Sequence, residues 1–301
     1  MYSRIPLWGI CNQAEYRAAQ VSQMSKGQAV KVIAVTGGKG GVGKTNVSVN
    51  LAVSLAKAGK SVLVMDADLG MGNVNIMLGI NPSLSLHDVI SGTSSLSDVI
   101  FKGPLGINVI PASSGVARMA ELTAVEQANL IRGFDELDLD VDVLIIDTAA
   151  GISSSVISFT KAAQEILVVV CDEPASITDS YALIKVLSKD HGVKTFRILA
   201  NMVDNEEHGR KLFGKLARVA DQFLDVSLKY MGSIPRDDKL RDAVRQKTAL
   251  MEKYPNSSSG IAFTQLAKNV ENLPVSSGNT GYLEFFIERV TQNESAEEVV
   301  Y

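Results

Sequence analysis

One run of ten residues constrains the fold of this chain more than any other segment: residues 36–45, which read TGGKGGVGKT. Five of the ten are glycines, and glycine adopts backbone conformations that are closed to residues with a Cβ. The run follows KVIAV, which is rich in β-branched residues and typical of a buried strand. It precedes a helical pattern that begins NVSVNLA. The segment therefore predicts a strand, a tight loop and a helix in direct succession.

The same run fits the phosphate-loop pattern GxxxxGK[ST], which Gly38 opens and Gly43, Lys44 and Thr45 close. Inward-pointing amides of such a loop, together with the amino end of the next helix, bind a polyphosphate. Lys44 supplies a positive charge for the β and γ phosphates, and Thr45 supplies a hydroxyl ligand for Mg²⁺. The predicted phosphate-contacting residues are Gly38, Lys39, Gly40, Gly41, Val42, Gly43, Lys44, Thr45 and Asn46.

Beyond this loop, short apolar runs alternate with helical-period segments, the pattern of a mostly parallel sheet flanked by helices. The runs VLII at 143–146 and ILVVV at 166–170 suit central strands that are covered on both faces. We predict strands at 31–36, 61–65, 107–110, 142–146, 166–171, 196–200 and 229–234. We predict helices at 43–58, 124–137, 153–163, 177–189, 206–223, 239–246 and 260–272. The predicted fold class is α/β, with a single P-loop NTPase domain.

The length of 301 residues allows two domains at roughly 150 residues each, but the motif placement favours one. We predict the nucleotide-binding domain at 30–274, a helical tail and linker at 1–29, and an amphipathic helix with its tail at 275–301. In that last segment Leu283, Phe286, Ile287 and Val290 share one helical face. The two appendages account for the surplus length.

Charge and cysteine content narrow the functional class. The chain has 29 Lys and Arg against 33 Asp and Glu, a net charge of −4 that disfavours direct DNA binding. Its two cysteines, Cys11 and Cys171, form neither a CxxC motif nor a metal-ligand spacing, which excludes a cysteine-held cluster and favours a reducing compartment. We found neither a secretory signal nor the roughly 18 apolar residues of a membrane span, so the expected location is the cytoplasm.

The helix predicted at 206–223 carries Lys211, Lys215 and Arg218 at three- and four-residue spacing. We interpret this stripe as the solvated side of an amphipathic helix. The residues expected to face the core are Leu212, Phe213, Leu216, Val219 and Phe223.

Aspartates end two of the predicted strands. Asp66 and Asp68 close VLVMDAD, and Asp147 closes LIID. The carboxyl ends of parallel strands are where open α/β sheets bind ligands. An aspartate in this position can also cap the next helix. The phosphate loop upstream favours a functional role for Asp68 and Asp147.

A second lysine inside the loop, Lys39, gives the segment a family resemblance. KGGVGKT resembles the deviant Walker A motif of the MinD/ParA class of P-loop ATPases. The resemblance implies ATP and Mg²⁺ as cofactors, slow hydrolysis, and an ATP-dependent face-to-face homodimer in which Lys39 reaches the partner's nucleotide. It implies that Lys39, Lys44 and Asp68 are catalytic, Asp68 by orienting the attacking water. The implied metal site comprises Thr45, Asp66 and Asp147, partly through water.

The class also implies residues around the base. Asn201 ends a late strand, and Pro235, Asp237 and Asp238 lie in the segment IPRDD, the two places that commonly surround adenine. Asn201, Asp237 and Asp238 could equally be turn and cap residues. Glu173 resembles the position that contacts the ribose of the partner subunit's nucleotide.

Longer stretches resemble one branch of the class, the FleN/FlhG family: DADLGMGNVN, IDTAAGI, VVCDEPASITDSYALIK and LEFFIER. The resemblance implies control of flagellar number and placement by antagonising the σ54-dependent master regulator of the FleQ/FlrA type. It also implies an FlhF-type GTPase and a flagellar switch (C-ring) protein as partners. The alternative is a MinD/ParA-type ATPase that positions other cargo, the septum or DNA.

Both appendages carry further expectations from the family. QAEYR at 13–17 resembles the segment that stimulates the GTPase, although Asn12 and Arg17 depart from the family pattern. The C-terminal helix resembles a membrane-targeting helix and implies reversible association with the inner membrane or cell pole. Its polar side carries Glu284, Glu288 and Arg289 and lacks the basic face that anionic lipids attract, so docking on the domain is the alternative.

Overall fold

The computed structural model describes residues 30–68, 72–112, 123–137 and 139–274. Its eight strands form one sheet in the order β3-β4-β2-β5-β1-β6-β7-β8. Each neighbouring pair is parallel except β3 with β4, so the prediction of a mostly parallel sheet is confirmed. The strands are β1 Lys31–Thr36, β2 Val62–Ala67, β3 Phe101–Lys102, β4 Asn108–Ile110, β5 Val143–Thr148, β6 Glu165–Cys171, β7 Thr195–Val203 and β8 Ser227–Pro235.

Eleven helices occur in the described part of the chain, with one 3₁₀ turn at Pro104–Gly106. They are α1 Lys44–Lys57, α2 Val74–Met77, α3 Leu86–Ile90, α4 Leu96–Val99, α5 Ala124–Asp135, α6 Ser154–Ala162, α7 Pro174–Lys189, α8 Glu206–Phe223, α9 Asp238–Arg245, α10 Leu250–Lys253 and α11 Ser258–Glu271. The predicted appendages at 1–29 and 275–301, with Cys11 and the segments at 13–17 and 283–290, lie outside the described residues.

The central strands are buried on both faces, as their continuous apolar runs predict. In β1, Ile33 and Val35 pack on one face of the sheet, in the cluster that contains the buried residues of α1 and α11. Val32 and Ala34 pack on the other face, with β2, β5 and α6. Successive side chains of a strand point to opposite faces, so a strand in the middle of the sheet must be apolar at every position.

The strand order places the glycine-rich loop at a topological switch point. β1 lies between β5 and β6, and the chain proceeds from β1 to β2 on one side and from β5 through α6 to β6 on the other. Ligands of open α/β sheets bind where the order reverses, beyond the carboxyl ends of the strands. The loop that follows β1 therefore opens into this crevice.

One prediction about α8 is wrong. Val219 is 40% exposed and Phe223 is 58% exposed, whereas Leu212 and Leu216 are buried. The buried residues of α8 are Gly209, Leu212, Leu216 and Ala220, a narrow stripe at three- and four-residue spacing. Val219 and Phe223 lie beside this stripe, which is too narrow to bury them.

Lys215 is exposed, as predicted for the solvated side of α8. Its ammonium also donates to Asp172, directly after β6, over 2.7 Å.

The sequence pattern missed short elements and placed several strand ends too early. Helices α2, α3, α4 and α10 have four or five residues each, too few for a 3.6-residue period to be recognisable. Strands β2 and β5 extend to Ala67 and Thr148, so Asp66 and Asp147 lie inside their strands. None of the helices in the described ranges has the length and apolar character needed to cross a membrane.

A buried lysine ties the last described helix to the first strand. Lys31 is 6% exposed, and its Nζ donates to the carbonyl oxygens of Val270 at 2.7 Å, Glu271 at 3.2 Å and Leu273 at 2.9 Å. These carbonyls end α11, where helix groups lack partners within the helix and the dipole favours a cation. Lys31 therefore caps α11 from a position 239 residues earlier in the chain.

We expect Lys31→Met to lower the free energy of unfolding by about 1–3 kcal/mol, because the buried carbonyls of α11 lose their donor. Thermal denaturation followed by circular dichroism measures the change. Lys268→Met is the matched control, since Lys268 lies on the same helix and is exposed. Equal stabilities of the two variants would contradict this role of Lys31.

Candidate nucleotide-binding site

The loop between β1 and α1 has the backbone that its glycines predict. Gly41 has φ 81° and Gly43 has φ 92°, the left-handed region that favours glycine. Gly43 is also the N-cap residue of α1. Gly38 is required for a different reason, because a Cβ there would lie 2.2 Å from the carbonyl of Asp179 on α7. The loop is thus closely packed against α7 at one end and turned into α1 at the other.

Lys44 begins α1 and is 8% exposed. Burial lowers the pKa of its ammonium, and the nearby carboxylates of Asp147 and Asp68 act in the opposite direction. A buried cation at the amino end of a helix, with the loop amides around it, is suited to bind phosphate oxygens. The structure therefore places Lys44, Asp68 and Asp147 in one electrostatic group.

The two strand aspartates predicted for the metal site face one another across neighbouring strands. Asp66 of β2 is in register with Asp147 of β5. Asp66 accepts from the amides of Val74 and Asp68, each at 3.1 Å. Burial raises the pKa of Asp66 to about 7 and that of Asp147 to about 6. A divalent cation would stabilise both carboxylates in their charged form.

The donor set around this pair fits Mg²⁺. Thr45 and Ser48 both hydrogen-bond Asp147, Ser48 over 2.8 Å. Mg²⁺ prefers oxygen ligands and keeps several waters, so one or two carboxylates with a hydroxyl and substrate phosphates suffice. Within the described ranges no group of three or more His, Cys, Asp or Glu side chains could hold a metal. Ser48 was not singled out in the sequence analysis, although it lies one turn after Thr45 on the same helix.

Residues predicted for the base end converge on one cavity of about 450 Å³. Its lining includes Asn201, Pro235 and Asp237, which were predicted for the base. It also includes Asn46, predicted for the phosphates, and Glu173, predicted for the ribose of the partner subunit's nucleotide. Met202 and Arg236 also line it and were not predicted. Asp238 is absent from this lining; its side chain is 98% exposed and lies 3.7 Å from Arg241. A larger cavity of about 690 Å³ along β8 does not include the phosphate loop.

Asn201 holds the phosphate loop through a hydrogen bond to its backbone. Its Nδ2 donates to the Val42 carbonyl over 2.7 Å, and the Cys171 thiol lies 3.6 Å from the same oxygen. Burial raises the pKa of Cys171 to about 11, so the thiol is unreactive at neutral pH. Both strand ends, β6 and β7, therefore hold the phosphate loop in place.

Asp237 has the structural role that the sequence left open. It caps α9 by accepting from the Lys239 amide at 2.8 Å, and it accepts from the Ser259 amide at 2.9 Å. These bonds join α9 to α11 at the cavity wall.

Lys39 lies at the exposed side of the loop and contacts Glu173. Its Nζ is 2.5 Å from Glu173 Oε2, and the two side chains are 36% and 58% exposed. This bond raises the pKa of Lys39 and lowers that of Glu173. Exposed ion pairs contribute little to stability, so Lys39 can leave this partner at low cost.

A phosphate loop at the switch point, two aspartates in register beside it and a second, exposed lysine in the loop together define a nucleotide-binding protein of the MinD/ParA class. Residues 33–250 match the CobQ/CobB/MinD/ParA nucleotide binding domain. The septum site-determining protein MinD of Pyrococcus horikoshii, solved with Mg-ADP, superposes with a TM-score of 0.64 at 27% identity, covering 81% of this chain and 96% of that one.

Two curated relatives locate the chain within this class. The antiactivator FleN of Pseudomonas aeruginosa is 51% identical over 273 residues, covering 91% of this chain and 98% of the relative. The flagellum site-determining protein YlxH of Helicobacter pylori is 33% identical over 255 residues, covering 84% and 85%. The chain belongs to the FleN/FlhG family of MinD-like ATPases, as the sequence resemblance predicted.

Two glycine variants, measured in the absence of nucleotide, test how the phosphate loop packs against α7. We expect Gly38→Ala to lower the free energy of unfolding by about 1–3 kcal/mol, because its Cβ forces the loop away from α7. Gly40→Ala is the matched control, since a Cβ there meets nothing within 4 Å. Denaturant unfolding of both variants measures the difference. A Gly38→Ala curve that coincides with the control would show that the loop is not packed against α7.

Proposed function

We propose that this chain is an ATP-dependent dimerisation switch that controls flagellar number and placement. The observation that carries the proposal is the 51% identity with a protein named antiactivator FleN, together with a complete phosphate loop that includes Lys39. YlxH, the second flagellar relative, is named for determining flagellar site. The proposed activity is slow, Mg-dependent hydrolysis of ATP to ADP and phosphate.

The proposed site works by positioning and charge. The loop amides and Lys44 hold the β and γ phosphates, and Lys44 stabilises the charge that develops between them. Thr45, Asp66 and Asp147 hold Mg²⁺, which neutralises phosphate charge when it is bound. Asp68, directly after β2 and within electrostatic reach of Lys44, orients the attacking water.

In the proposed mechanism, Lys39 couples the bound nucleotide to dimerisation with a second subunit. In the single chain its ammonium contacts Glu173 at the surface of the loop. In the proposed dimer it exchanges this contact for the phosphates bound by the partner subunit. Dimers then form only with ATP, and hydrolysis separates them.

The proposed partners follow from the family. An antiactivator acts on an activator, which in this family is the σ54-dependent regulator of the FleQ/FlrA type. An FlhF-type GTPase and a C-ring protein link the switch to flagellar placement. We propose a cytoplasmic location, with membrane association through residues 275–301.

The alternative of DNA cargo is disfavoured by the charges of α8. Two of its basic side chains have acidic partners on the same helix, Arg210 with Glu206 at 3.0 Å and Lys211 with Glu207 at 2.8 Å. Lys215 contacts Asp172 at 2.7 Å. Over its length α8 sets Glu206, Glu207 and Asp221 against four Lys and Arg residues, so its net positive charge is small and offers little to a DNA backbone.

Lysine and aspartate variants test the switch. We expect Lys39→Ala and Lys44→Ala to abolish ATP-dependent dimers. Each variant removes a positive charge that, in the proposed dimer, contacts the ATP phosphates. Asp68→Ala should instead trap the ATP dimer, since it binds ATP but cannot orient water. Size-exclusion chromatography with light scattering, with and without Mg-ATP, measures the species. Lys57→Ala, an exposed lysine at the end of α1, is the control. ATP-dependent dimers of Lys39→Ala would refute the scheme.

A pull-down tests the flagellar role. We expect the immobilised chain to retain the σ54-dependent flagellar regulator and the FlhF-type GTPase of its own genome. Retention of the regulator should increase with ATP and fall with Lys39→Ala, because the binding surface belongs to the dimer. Loss of both proteins, combined with DNA retention in a gel shift, would favour the cargo-positioning alternative.

A further inference from the structure

A buried serine of α1 contacts one of the two carboxylates predicted for the metal site. Ser48 is fully buried, and its hydroxyl oxygen lies 2.8 Å from Asp147 Oδ1 and 3.2 Å from the carbonyl oxygen of Lys44. A hydroxyl has one proton, which it donates to one acceptor at a time. The carboxylate is both the nearer and the stronger acceptor, so Ser48 donates to Asp147.

A second buried serine of α1 shows how such a hydroxyl is satisfied without a carboxylate. Ser54 is 5% exposed and donates to the carbonyl oxygen of Asn50, four residues earlier, over 2.6 Å. A bond of this kind keeps a serine hydroxyl paired inside a helix. For Ser48 the equivalent distance, to the Lys44 carbonyl, is longer at 3.2 Å. Ser48 therefore directs its proton to the sheet, whereas Ser54 directs its proton to its own helix.

The carboxylate of Asp147 takes its orientation from α1. Asp147 is 1% exposed and lies in register with Val35 of β1 on one side and Asp66 of β2 on the other. Two hydroxyls one turn apart on α1, those of Thr45 and Ser48, hydrogen-bond this carboxylate. The oxygen of Thr45 is itself predicted to bind Mg²⁺. Ser48 has no such second task, so its bond to Asp147 is compatible with the metal-free and the metal-bound site alike.

We propose that Ser48 is a positioning residue for the metal site, which fixes the carboxylate of Asp147 in the orientation that nucleotide-bound Mg²⁺ requires. Groups that hydrogen-bond a metal ligand orient it, and their removal lowers the affinity for the metal. Ser48 acts through Asp147 and is not itself a ligand. Because Lys44 begins the same helix, α1 positions both the phosphate-binding cation and the metal-binding carboxylate. The proposal rests on Mg-nucleotide binding at this site, as proposed above.

Binding of ADP, measured by titration calorimetry in EDTA and in excess Mg²⁺, tests the proposal. ADP is the probe because it avoids both hydrolysis and the proposed ATP dimer. The ratio of the dissociation constants in EDTA and in Mg²⁺ measures how strongly the bound nucleotide holds the metal. We expect Ser48→Ala to lower this ratio about 10- to 100-fold. Its affinity for ADP in EDTA should equal that of the wild type, because the loop amides and Lys44 are unchanged.

Two further variants separate positioning from a general effect on α1. Ser54→Ala is the matched control, since it removes a buried hydroxyl from the same helix but leaves Asp147 with its donors. We expect Ser54→Ala to keep the wild-type ratio. In an Asp147→Asn background, Ser48→Ala should cause no further fall in the ratio, because the charged group that Ser48 positions is already absent.

A wild-type ratio in Ser48→Ala overturns the proposal, and so does an equal fall in Ser48→Ala and Ser54→Ala. A further fall in the Asp147→Asn background overturns it as well. If Ser48→Ala does not fold, Ser48→Cys decides, because a thiol fills the site but is a weak donor. A wild-type ratio in Ser48→Cys then overturns the proposal. Failure of the wild type to bind ADP with or without Mg²⁺ would refute the proposed function instead.

Discussion

Charge buried at the carboxyl edge of the sheet is the constraint on which the rest of the structure depends. Lys44, Asp66 and Asp147 are each less than a tenth exposed. Burying ions is costly unless opposite charges and hydrogen bonds compensate. Compensation here requires β2 and β5 in register, so that the carboxylates meet, and α1 seated above them, so that Ser48 reaches Asp147. The apolar centre of the sheet supplies this alignment.

Much of the fold could be predicted because its signals are local. β1 and α8 begin and end at the residues predicted, since a continuous apolar run and a long amphipathic period mark their bounds. The phosphate loop and Lys44 were predicted from the spacing of one motif, whereas Asp66 and Asp147 were predicted from their places at strand ends together with the family resemblance. Local patterns could not reveal α2 or α10, whose four residues complete little more than one turn.

The remainder of the site depends on contacts between distant parts of the chain. Asn201 supports Val42 across 159 residues, and nothing near either residue signals the contact. Met202 lines the cavity where the strand is irregular, and no local pattern predicts a left-handed backbone at a methionine. The exposure of Phe223 likewise depends on contacts with distant parts of the chain. Periodicity predicts a helix face, but the packing of α8 on β7 and on the edge strand β8 decides how much of that face is buried.

The contact between Lys31 and the end of α11 has a geometric consequence for how the molecule can be engaged. Lys31 is the first residue of β1, so the carbonyl of Leu273 lies at the amino edge of the sheet, where Val30 also lies. Both ends of the described domain therefore lie at the amino edge of the sheet, and the phosphate loop with the proposed ATP site lies at the opposite edge. A label or linker joined next to Val30 or Leu273 therefore begins at the edge of the sheet opposite the phosphate loop.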